Sequence, residues 1–365
     1  MKKLFVFAAA VAILFTFSGC PTESDDGGGS SKPKITMVAF LDDGDEVNPW
    51  VFQAVGTTEG SKITIDWGDV NPEDEAFLSD ALTPKEYSHT YSAAGTYTIT
   101  ITGAVGEITY FDCSGMGLEG LTLSGLKALK ELCCNNNALT SLNVSGCTAL
   151  ERMECYSNNF TSLKISGLKK LEYLFCYDNE YLTSLTLSGL IALKELYCND
   201  TALTSLNVSG FTALENLYCF ESDLISLNVS GCTALEKLEC SESDLISLNV
   251  SGCIALEKLN CSYNKLTNLN VSGCIVLEKL ECFDNKLTSL NISGCDMLSF
   301  LDIITNELGN AALEAIFAAL PDRSSVSLGY IYVNDNPATE GWDYPADYNN
   351  KTTVLGNGWK VDGAW

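Results

Sequence analysis

Apolar residues recur along most of this chain with a period of 21 residues. Counted from the first apolar residue of a unit as position 0, they fall at positions 3, 5, 10, 13, 15 and 18, as in the unit that begins at Leu256. Within each block two of them are two residues apart, which is the spacing along one face of a β-strand. One unit cannot enclose these residues alone, so the pattern predicts a stack of coils with a common core.

The positions between the apolar blocks are expected to turn. A Ser-Gly pair follows the second block, and glycine adopts a positive φ there at little steric cost. Position 8 is Asn in most units, and its amide can satisfy backbone groups of the turn. Three middle units carry Thr201, Ser222 or Ser243 instead. A hydroxyl makes fewer hydrogen bonds, so looser turns are expected there, and an extra residue near Glu180 predicts a bulge.

The pattern L-x-x-L-x-[LC]-x-x-N-x-L resembles the leucine-rich repeat, and its nested second block is similar to the IRREKO class of bacterial leucine-rich repeats. The resemblance covers roughly residues 108–307 and implies a mostly β fold, a curved solenoid of about nine to ten 21-residue coils. A parallel sheet would lie on the concave side, with short strands or turns on the convex side. Unit one, from Ile108, has Met116 where Asn is usual, as expected of an atypical first coil.

The residues before the array alternate between apolar and polar with period two. Clusters of Gly, Pro, Asn and Asp separate the runs, which predict a small β-sandwich with strands at 35–40, 51–55, 62–67 and 95–102. The stretches Asp66-Trp67-Gly68-Asp69, His89-Thr90-Tyr91 and Gly95-Thr96-Tyr97 resemble the PKD family of immunoglobulin-like domains. Val70 replaces the last Gly of that family's turn. The resemblance covers residues 34–105 and implies a spacer or adhesion module outside the cell.

The amino terminus resembles the export signal of bacterial lipoproteins. An apolar run too short to span a bilayer comfortably follows two lysines and ends at Ser18-Gly19-Cys20, which is similar to a lipobox, with Phe17 where Leu is usual. The resemblance implies a signal peptide at 1–19 and lipidation of Cys20, and residues 20–33 would be the anchor and a flexible tether. The expected location is an outer membrane or the cell surface. The alternative is an ordinary secretory signal.

The repeat fails after residue 307. Residues 310–320 have a helical period that Pro321 ends, residues 325–333 alternate like a strand, and 359–361 is a short last strand. A short helix is also expected around 346–351. We interpret residues 308–365 as an α/β cap that covers the last coil.

The net charge limits the classes of partner, and the cysteine positions indicate the chemical state of the thiols. The chain has 21 Lys and Arg against 47 Asp and Glu, a net charge of −26 that disfavours nucleic acid and anionic membrane surfaces as partners. Of the 16 cysteines, nine fall at position 5 and five at position 18, with Cys133 and Cys20 left over. Leu, Ile or Phe replaces Cys in other units. We therefore favour buried neutral thiols over disulfides, and both over a metal cluster.

Candidate chemistry outside the array is sparse. His89 is the only histidine, and we interpret it as a structural residue of a strand start instead of a base or ligand. The acidic runs 42–46 and 73–75 could hold calcium, but they lack the spacing of a calcium loop, so solvated loops are favoured. We find no nucleophile–base pair, phosphate loop or cofactor motif in the sequence. The sequence predicts a protein that is not an enzyme and has no cofactor.

The variable positions 2, 4 and 6 alternate with the inward residues and should face the concave side. The four units that begin at Leu150, Leu171, Leu193 and Leu214 have aromatic residues at these positions. We take them as the candidate ligand-binding set: Tyr156, Tyr173, Phe175, Tyr177, Tyr197, Tyr218 and Phe220. They would form either a binding surface or a purely structural stack. The next three units carry Lys at position 2 and Glu or Asn at position 4: Lys237, Lys258, Lys279, Glu239, Asn260 and Glu281. The lysine and glutamate columns are expected to neutralise each other's charge.

Three functions remain open from the sequence. The first is a surface-displayed, adhesin-like protein that binds another protein through the concave face of the array. The second is a glycan-binding module, since aromatic platforms also stack on sugars. The third is a structural envelope component without a specific ligand.

Overall fold

A computed structural model describes residues 32–41, 50–71, 73–80, 83–337, 352–354 and 356–362 of the chain. The strands predicted in the amino-terminal part are present, together with two further strands and a short 3-10 helix, Ala104–Glu107. In chain order the strands are β1 Lys34–Leu41, β2 Trp50–Gly56, β3 Lys62–Asp66, β4 Asp74–Phe77, β5 Lys85–His89 and β6 Gly95–Gly103.

These strands belong to two sheets that share a core. The first has the antiparallel order β4-β3-β6-β1, and the second contains β5 and β2. Alternate residues are buried on β1, β2 and β3 and in the second half of β6, as the period-two pattern requires: Met37, Ile65 and Ile99 on the first sheet and Phe52 on the second. The ring of Phe52 lies 5.8 Å from that of Trp67, which follows β3. Membership of the PKD family stays a prediction.

The first coil of the array joins both sheets. Its strands are β7, Ile108–Asp112, and β8, Leu118–Ser124. Strand β8 pairs antiparallel with β1, while β7 pairs antiparallel with β2 and parallel with the next strand of the array, β9, Glu131–Cys133. The concave sheet of the array and the second amino-terminal sheet are therefore one continuous sheet. The domain boundary expected between residues 105 and 108 does not interrupt it.

The array itself is a leucine-rich repeat solenoid, as predicted. In its described residues nine three-residue strands run parallel on the concave side, and equivalent leucines such as Leu217, Leu238 and Leu259 lie in register on neighbouring strands. After β9 these strands are β10 Arg152–Glu154, β12 Tyr173–Phe175, β14 Glu195–Tyr197, β16 Asn216–Tyr218, β18 Lys237–Glu239, β20 Lys258–Asn260, β22 Lys279–Glu281 and β24 Phe300–Asp302.

The convex side has only short strands in small sheets of two or three. Each comes from the second apolar block of a coil, whose leucine and following Val, Ile or Leu point inward, with Leu185 only partly buried. The convex strands are β11 Ser162–Lys164, β13 Ser184–Thr186, β15 Ser205–Asn207, β17 Ser226–Asn228, β19 Ser247–Asn249, β21 Asn268–Asn270 and β23 Ser289–Asn291.

The asparagine at position 8 joins neighbouring coils. In a typical coil Nδ2 of Asn158 donates to the carbonyl of Cys134 in the preceding coil at 3.0 Å, and its Oδ1 accepts from the N–H of Leu139 at 3.0 Å. The hydroxyls of the middle coils make fewer bonds to the preceding coil, whereas looser turns there stay a prediction. Thr201 and Ser222 bond mainly to each other and to their own coil, and Ser243 reaches only a carbonyl of its own coil.

The extra residue of the fourth coil forms a turn. The N–H of Leu182 donates to the carbonyl of Asn179 at 2.9 Å, and Tyr181 projects into solvent. Oδ1 of Asn179 has no hydrogen-bond partner although the side chain is fully buried. In other coils this oxygen accepts an N–H from the preceding coil, so the insertion coincides with the loss of that bond.

Position 7 of each coil adopts the left-handed conformation, which the sequence pattern did not reveal. Nine successive coils have a residue other than glycine there, with φ between 48° and 57°. This conformation costs on the order of 1 kcal/mol for such residues. It lets the N–H at position 7 donate across to the next coil, as Asp200 does to the carbonyl of Phe220 at 3.1 Å. The residues are Asn136, Ser157, Asp178, Asp200, Glu221, Glu242, Tyr263, Asp284 and Thr305.

After the last complete coil, the stacking continues. Helix α1, Asn310–Ala319, agrees with the predicted period and buries Leu313 and Ile316. Strand β25, Gly329–Tyr332, pairs parallel with β24 and is followed by β26, Thr352–Val354, and β27, Trp359–Asp362. Asn336 repeats the bonding of position 8, accepting from the N–H of Leu308 at 3.1 Å. The helix expected around 346–351 lies outside the described residues.

Candidate functional site: the concave face

The aromatic side chains at position 4 form a continuous stack across three coils. Ring centroids are 4.9 Å apart between Phe175 and Tyr197, and 4.2 Å apart between Tyr197 and Tyr218. The interplanar angles are 29° and 15°, so each ring covers a face of the next. Parallel in-register strands bring equivalent positions within contact distance, which is why adjacent coils can build such a ladder. We call these three residues the position-4 stack.

Cations cover both ends of the position-4 stack. The guanidinium of Arg152 lies 4.5 Å from the ring centroid of Phe175, and Nζ of Lys237 lies 4.9 Å from that of Tyr218. Both cations also pair with a carboxylate two residues away on their own strand, Glu154 at 2.7 Å and Glu239 at 3.2 Å. Cation–π contacts of this kind contribute about 0.5–1 kcal/mol at exposed sites. The ring faces within the stack are therefore covered, and the exposed part of each half-buried side chain is its edge.

A second, shorter stack lies at position 6. The rings of Tyr156 and Tyr177 are 4.5 Å apart and inclined by only 7°. Burial, together with the neighbouring Tyr156, raises the pKa of Tyr177 to about 12. Tyr173 lies at position 2 beside Arg152, with 5.7 Å from the guanidinium to the ring centroid. Phe220 lies at position 6 two coils beyond Tyr177.

The seven candidate aromatic residues thus form two stacks with two further rings beside them. All seven predicted residues lie on the concave face, and each is half-buried. The rings cover one another and each residue also stays half-exposed, so the geometry is compatible with both alternatives left open by the sequence. The sequence analysis missed the capping role of Arg152 and Lys237. The signal was available as a cation at position 2 on either side of the aromatic run at position 4.

Lysine and glutamate columns follow the aromatic coils. Nζ of Lys279 lies 2.9 Å from Glu281, and Lys237 pairs with Glu239, as predicted. Lys258 differs, because Asn260 stands beside it where the neighbouring coils have Glu. No ion pair of the exposed Lys258 is found among the described residues. The neutralised ladder is therefore present in two of the three coils.

A row of carboxylates borders the aromatic coils where the concave strands end. It surrounds an open cavity of about 260 Å³ whose lining includes Thr201 and Ala202. The other five lining residues, which we call the acidic rim, are Asp178, Glu180, Asp200, Glu221 and Asp223. The charge of Asp200, its shared hydrogen bond and burial raise the pKa of Glu221. The sequence analysis did not single out this row.

The cysteines behave as small buried hydrophobes. The 15 cysteines that the structure describes are all free thiols, and every one except Cys133 is buried. Burial raises the pKa of Cys176 to about 12, so the neutral thiol prevails at physiological pH. At position 18, Sγ–H of Cys232 donates to the carbonyl of Val208 in the preceding coil at 3.1 Å. The described residues hold no cluster suited to a metal ion.

The polar residues of the amino-terminal sheets have structural partners. Nε2 of His89 lies 2.8 Å from Asp69, and its ring stacks on Trp67 at 5.0 Å. Burial favours a higher pKa for Asp69, but hydrogen bonds from His89 and Asn71 outweigh it and leave the pKa lowered. Asp74 accepts from Nε1 of Trp67 at 2.8 Å, and Glu75 pairs with a lysine.

Several predicted features of the amino-terminal part lie outside the described residues: the signal peptide 1–19, the lipidation site Cys20, the tether up to residue 31 and the acidic run 42–46. None of the helices in the described part of the chain is both long and apolar enough to cross a lipid bilayer.

Comparison with solved structures agrees with the fold. The functional domain of InlJ from Listeria monocytogenes, described as including a cysteine ladder, is 28% identical with a TM-score of 0.52 over 65% of this chain and 51% of that one. The leucine-rich effector YopM from Yersinia pestis is 21% identical with a TM-score of 0.51 over 62% of this chain and 61% of that one.

Both neighbours are bacterial leucine-rich repeat proteins, and the fold of this chain is of the leucine-rich repeat class. This chain spans about half the length of the InlJ domain. No protein-family profile matches the chain, and no curated protein is significantly similar to it.

Proposed function

We propose that this chain is a non-enzymatic binding protein whose two aromatic stacks contact a protein partner. The observation that carries the proposal is the gathering of seven half-exposed aromatic side chains on one face of adjacent coils. Aromatic residues combine large contact area with few rotatable bonds, and tyrosine adds a hydroxyl that can bond to backbone groups of a partner. The stack holds these rings in place before binding, which lowers the entropy lost on association.

The geometry favours a protein over a glycan. A sugar stacks its C–H groups on an open ring face, but both faces of each ring in the position-4 stack are covered by a neighbour, from Arg152 at one end to Lys237 at the other. The remaining ring edges and hydroxyls suit the mixed apolar and polar surface of a protein. The glycan alternative then depends on the four rings outside the position-4 stack: Tyr156, Tyr173, Tyr177 and Phe220. A purely structural envelope role does not explain why apolar ring edges are exposed, since exposed apolar surface usually marks a contact site.

Display on a cell surface belongs to the same proposal. It is supported by the lipobox-like sequence at Cys20 and by the PKD-like motifs of residues 34–105, which would make the chain an anchored, adhesin-like lipoprotein. The likeness to the InlJ domain supports the solenoid on which the binding face is built.

The test uses the full chain, purified in mild detergent, against arrays of extracellular proteins and of glycans. One variant replaces four rings with serine: Tyr173, Phe175, Tyr197 and Tyr218. A matched control replaces four exposed isoleucines elsewhere on the coils with serine: Ile225, Ile246, Ile254 and Ile275. We expect the ring variant to lose protein binding at least about tenfold and the control to retain it.

A milder variant separates contact from stability. Tyr197→Phe with Tyr218→Phe keeps the stack and removes two hydroxyls, so the fold is expected to be preserved while binding weakens. Thermal unfolding of every variant checks the fold. Protein binding that survives loss of all four rings would refute the proposed site, and binding restricted to glycans would favour the second function.

A further inference from the structure

The acidic rim lies directly beside the aromatic face. Positions 7 and 9 follow the position-6 residues along the chain, so Asp178 adjoins Tyr177 and Glu221 adjoins Phe220. Asp178 is close enough to Tyr177 to contribute to the raised pKa of that tyrosine. In the next coil Asn199 occupies position 6 and Asp200 position 7, and Asp200 accepts a hydrogen bond from Nδ2 of Asn199 at 2.7 Å. A partner on the rings therefore meets these carboxylates at the same time.

The charge of the rim is not compensated within the described residues. Its cavity has five acidic residues in its lining, whereas the other two are Thr201 and Ala202. The ion pairs on the neighbouring coils use other carboxylates: Glu154, Glu172, Glu239 and Asp244. Repulsion from Asp200 raises the pKa of Glu221, which shows that the carboxylates act on one another. The full chain carries a net charge of −26, which adds to the attraction for a cation.

We propose that the acidic rim receives lysine or arginine side chains from a basic segment of the protein partner. The proposal rests on the proposed function of the concave face and names the chemistry of the partner. Apolar side chains of the same segment would lie against the exposed ring edges, while its cations would pair with Asp200, Glu221 and Asp223. Charge complementarity of this kind fixes orientation and accelerates association.

The spacing of the rim suits such a segment. Equivalent positions on neighbouring coils are about 4.8 Å apart, so the three coils that supply the rim span roughly 10 Å. An extended segment places side chains of one face about 6.7 Å apart, and a helix repeats every 5.4 Å. Two or three basic side chains therefore fit along the rim, and the length of a lysine stem accommodates the mismatch.

The probe is a peptide of about seven residues that alternates lysine with leucine, compared with the same peptide carrying glutamate. Binding to the full chain is measured by fluorescence anisotropy at about 50 and 500 mM NaCl. The rim variant is Asp200→Asn, Glu221→Gln and Asp223→Asn. The matched control, Glu236→Gln, Glu257→Gln and Glu278→Gln, removes the same charge from position 1, where the concave strands begin.

We expect the lysine peptide to bind, the glutamate peptide not to bind, and high salt to weaken binding. The rim variant should raise the Kd at least about tenfold, whereas the control should change it less than about twofold. Equal loss in both variants would mean unspecific attraction and would overturn the proposal. So would absent binding of the lysine peptide, or spermidine competing as strongly as the peptide.

Failure of this proposal can be told apart from failure of the proposed function. If the four-serine ring variant loses its protein ligands and the rim variant keeps them, the concave face binds protein but the basic segment is refuted. If neither variant affects capture of any protein, the binding face itself is wrong.

Discussion

The asparagines at position 8 make a quantitative prediction about how strongly each coil is held to its neighbour. Asn264 makes four hydrogen bonds: its Oδ1 accepts from the N–H of Leu245 at 2.9 Å, and its Nδ2 donates to the carbonyls of Cys240, Cys261 and Ser262 at 2.9, 3.1 and 3.1 Å. The equivalent Ser243 makes one, at 3.4 Å. Asn264→Ser should therefore lose about three bonds, two of them to the preceding coil.

The expected loss in the free energy of unfolding is about 3 kcal/mol. Each buried bond contributes about 1 kcal/mol net, and the N–H of Leu245 would be left without its acceptor inside the protein. Urea denaturation followed by circular dichroism gives this value, and limited proteolysis shows whether opening begins near residue 264. Because coils interact mainly with their neighbours, the loss is expected to be local.

Ser243→Ala is the matched control, because it removes one weak bond at the same position of the preceding coil. It should cost less than about 1 kcal/mol. If Asn264→Ser and Ser243→Ala destabilise the chain equally, the inter-coil bonds of the asparagine do not stabilise the solenoid and the reasoning fails.

Three further predictions follow from buried or strained groups. Burial raises the pKa of Asp302 to about 6. The stability that the protonated carboxyl contributes is therefore fully present below about pH 4 and is lost as the pH rises through 6. Denaturation measured as a function of pH should show a fall of about 3 kcal/mol that Asp302→Asn abolishes, and an equal fall in that variant would refute the assignment. A thiol reagent at about pH 8 should label the buried cysteines of the array only after denaturation, and rapid labelling of the native chain would contradict their burial. Gly68→Ala should lower the free energy of unfolding by about 2 kcal/mol or more, since φ is 79° and a Cβ would lie 2.6 Å from the carbonyl oxygen of Thr98. Gly60→Ala is the control, because φ is 80° there but the space is open, and it should cost only about 1 kcal/mol.

The buried positions of each coil were predictable from the sequence, because packing against neighbouring coils requires apolar side chains there. Leu235, Leu238 and Cys240 are apolar in a fixed spacing, and all three are fully buried. The weaker bonding at Thr201 and Ser222 was also predictable, since a hydroxyl lacks the second donor and the carbonyl of an amide. In both cases the chemistry of a single position decides the outcome.

Features that depend on long-range register could not be read from one unit. Strand β8 belongs to the first repeat by its pattern, yet six of its seven residues pair with β1, which lies some 80 positions earlier. The capping of Phe175 by Arg152 likewise requires knowing which strands are neighbours. One feature beyond the last full unit was recognisable in the sequence. Residues 328–336 have the pattern L-x-x-I-x-V-x-x-N, which is the signal of a further stacked segment.

The way β1 is held has a mechanical consequence. Strand β1 is hydrogen-bonded on one side to β6 through seven residue pairs and on the other side to β8 of the first coil through six. A pull on the chain before Lys34, directed along the strand, therefore strains both rows of bonds in shear instead of opening them one by one. Tension would pass from β1 through β8 into the stacked coils, so the first coil would keep its position against β1 under load.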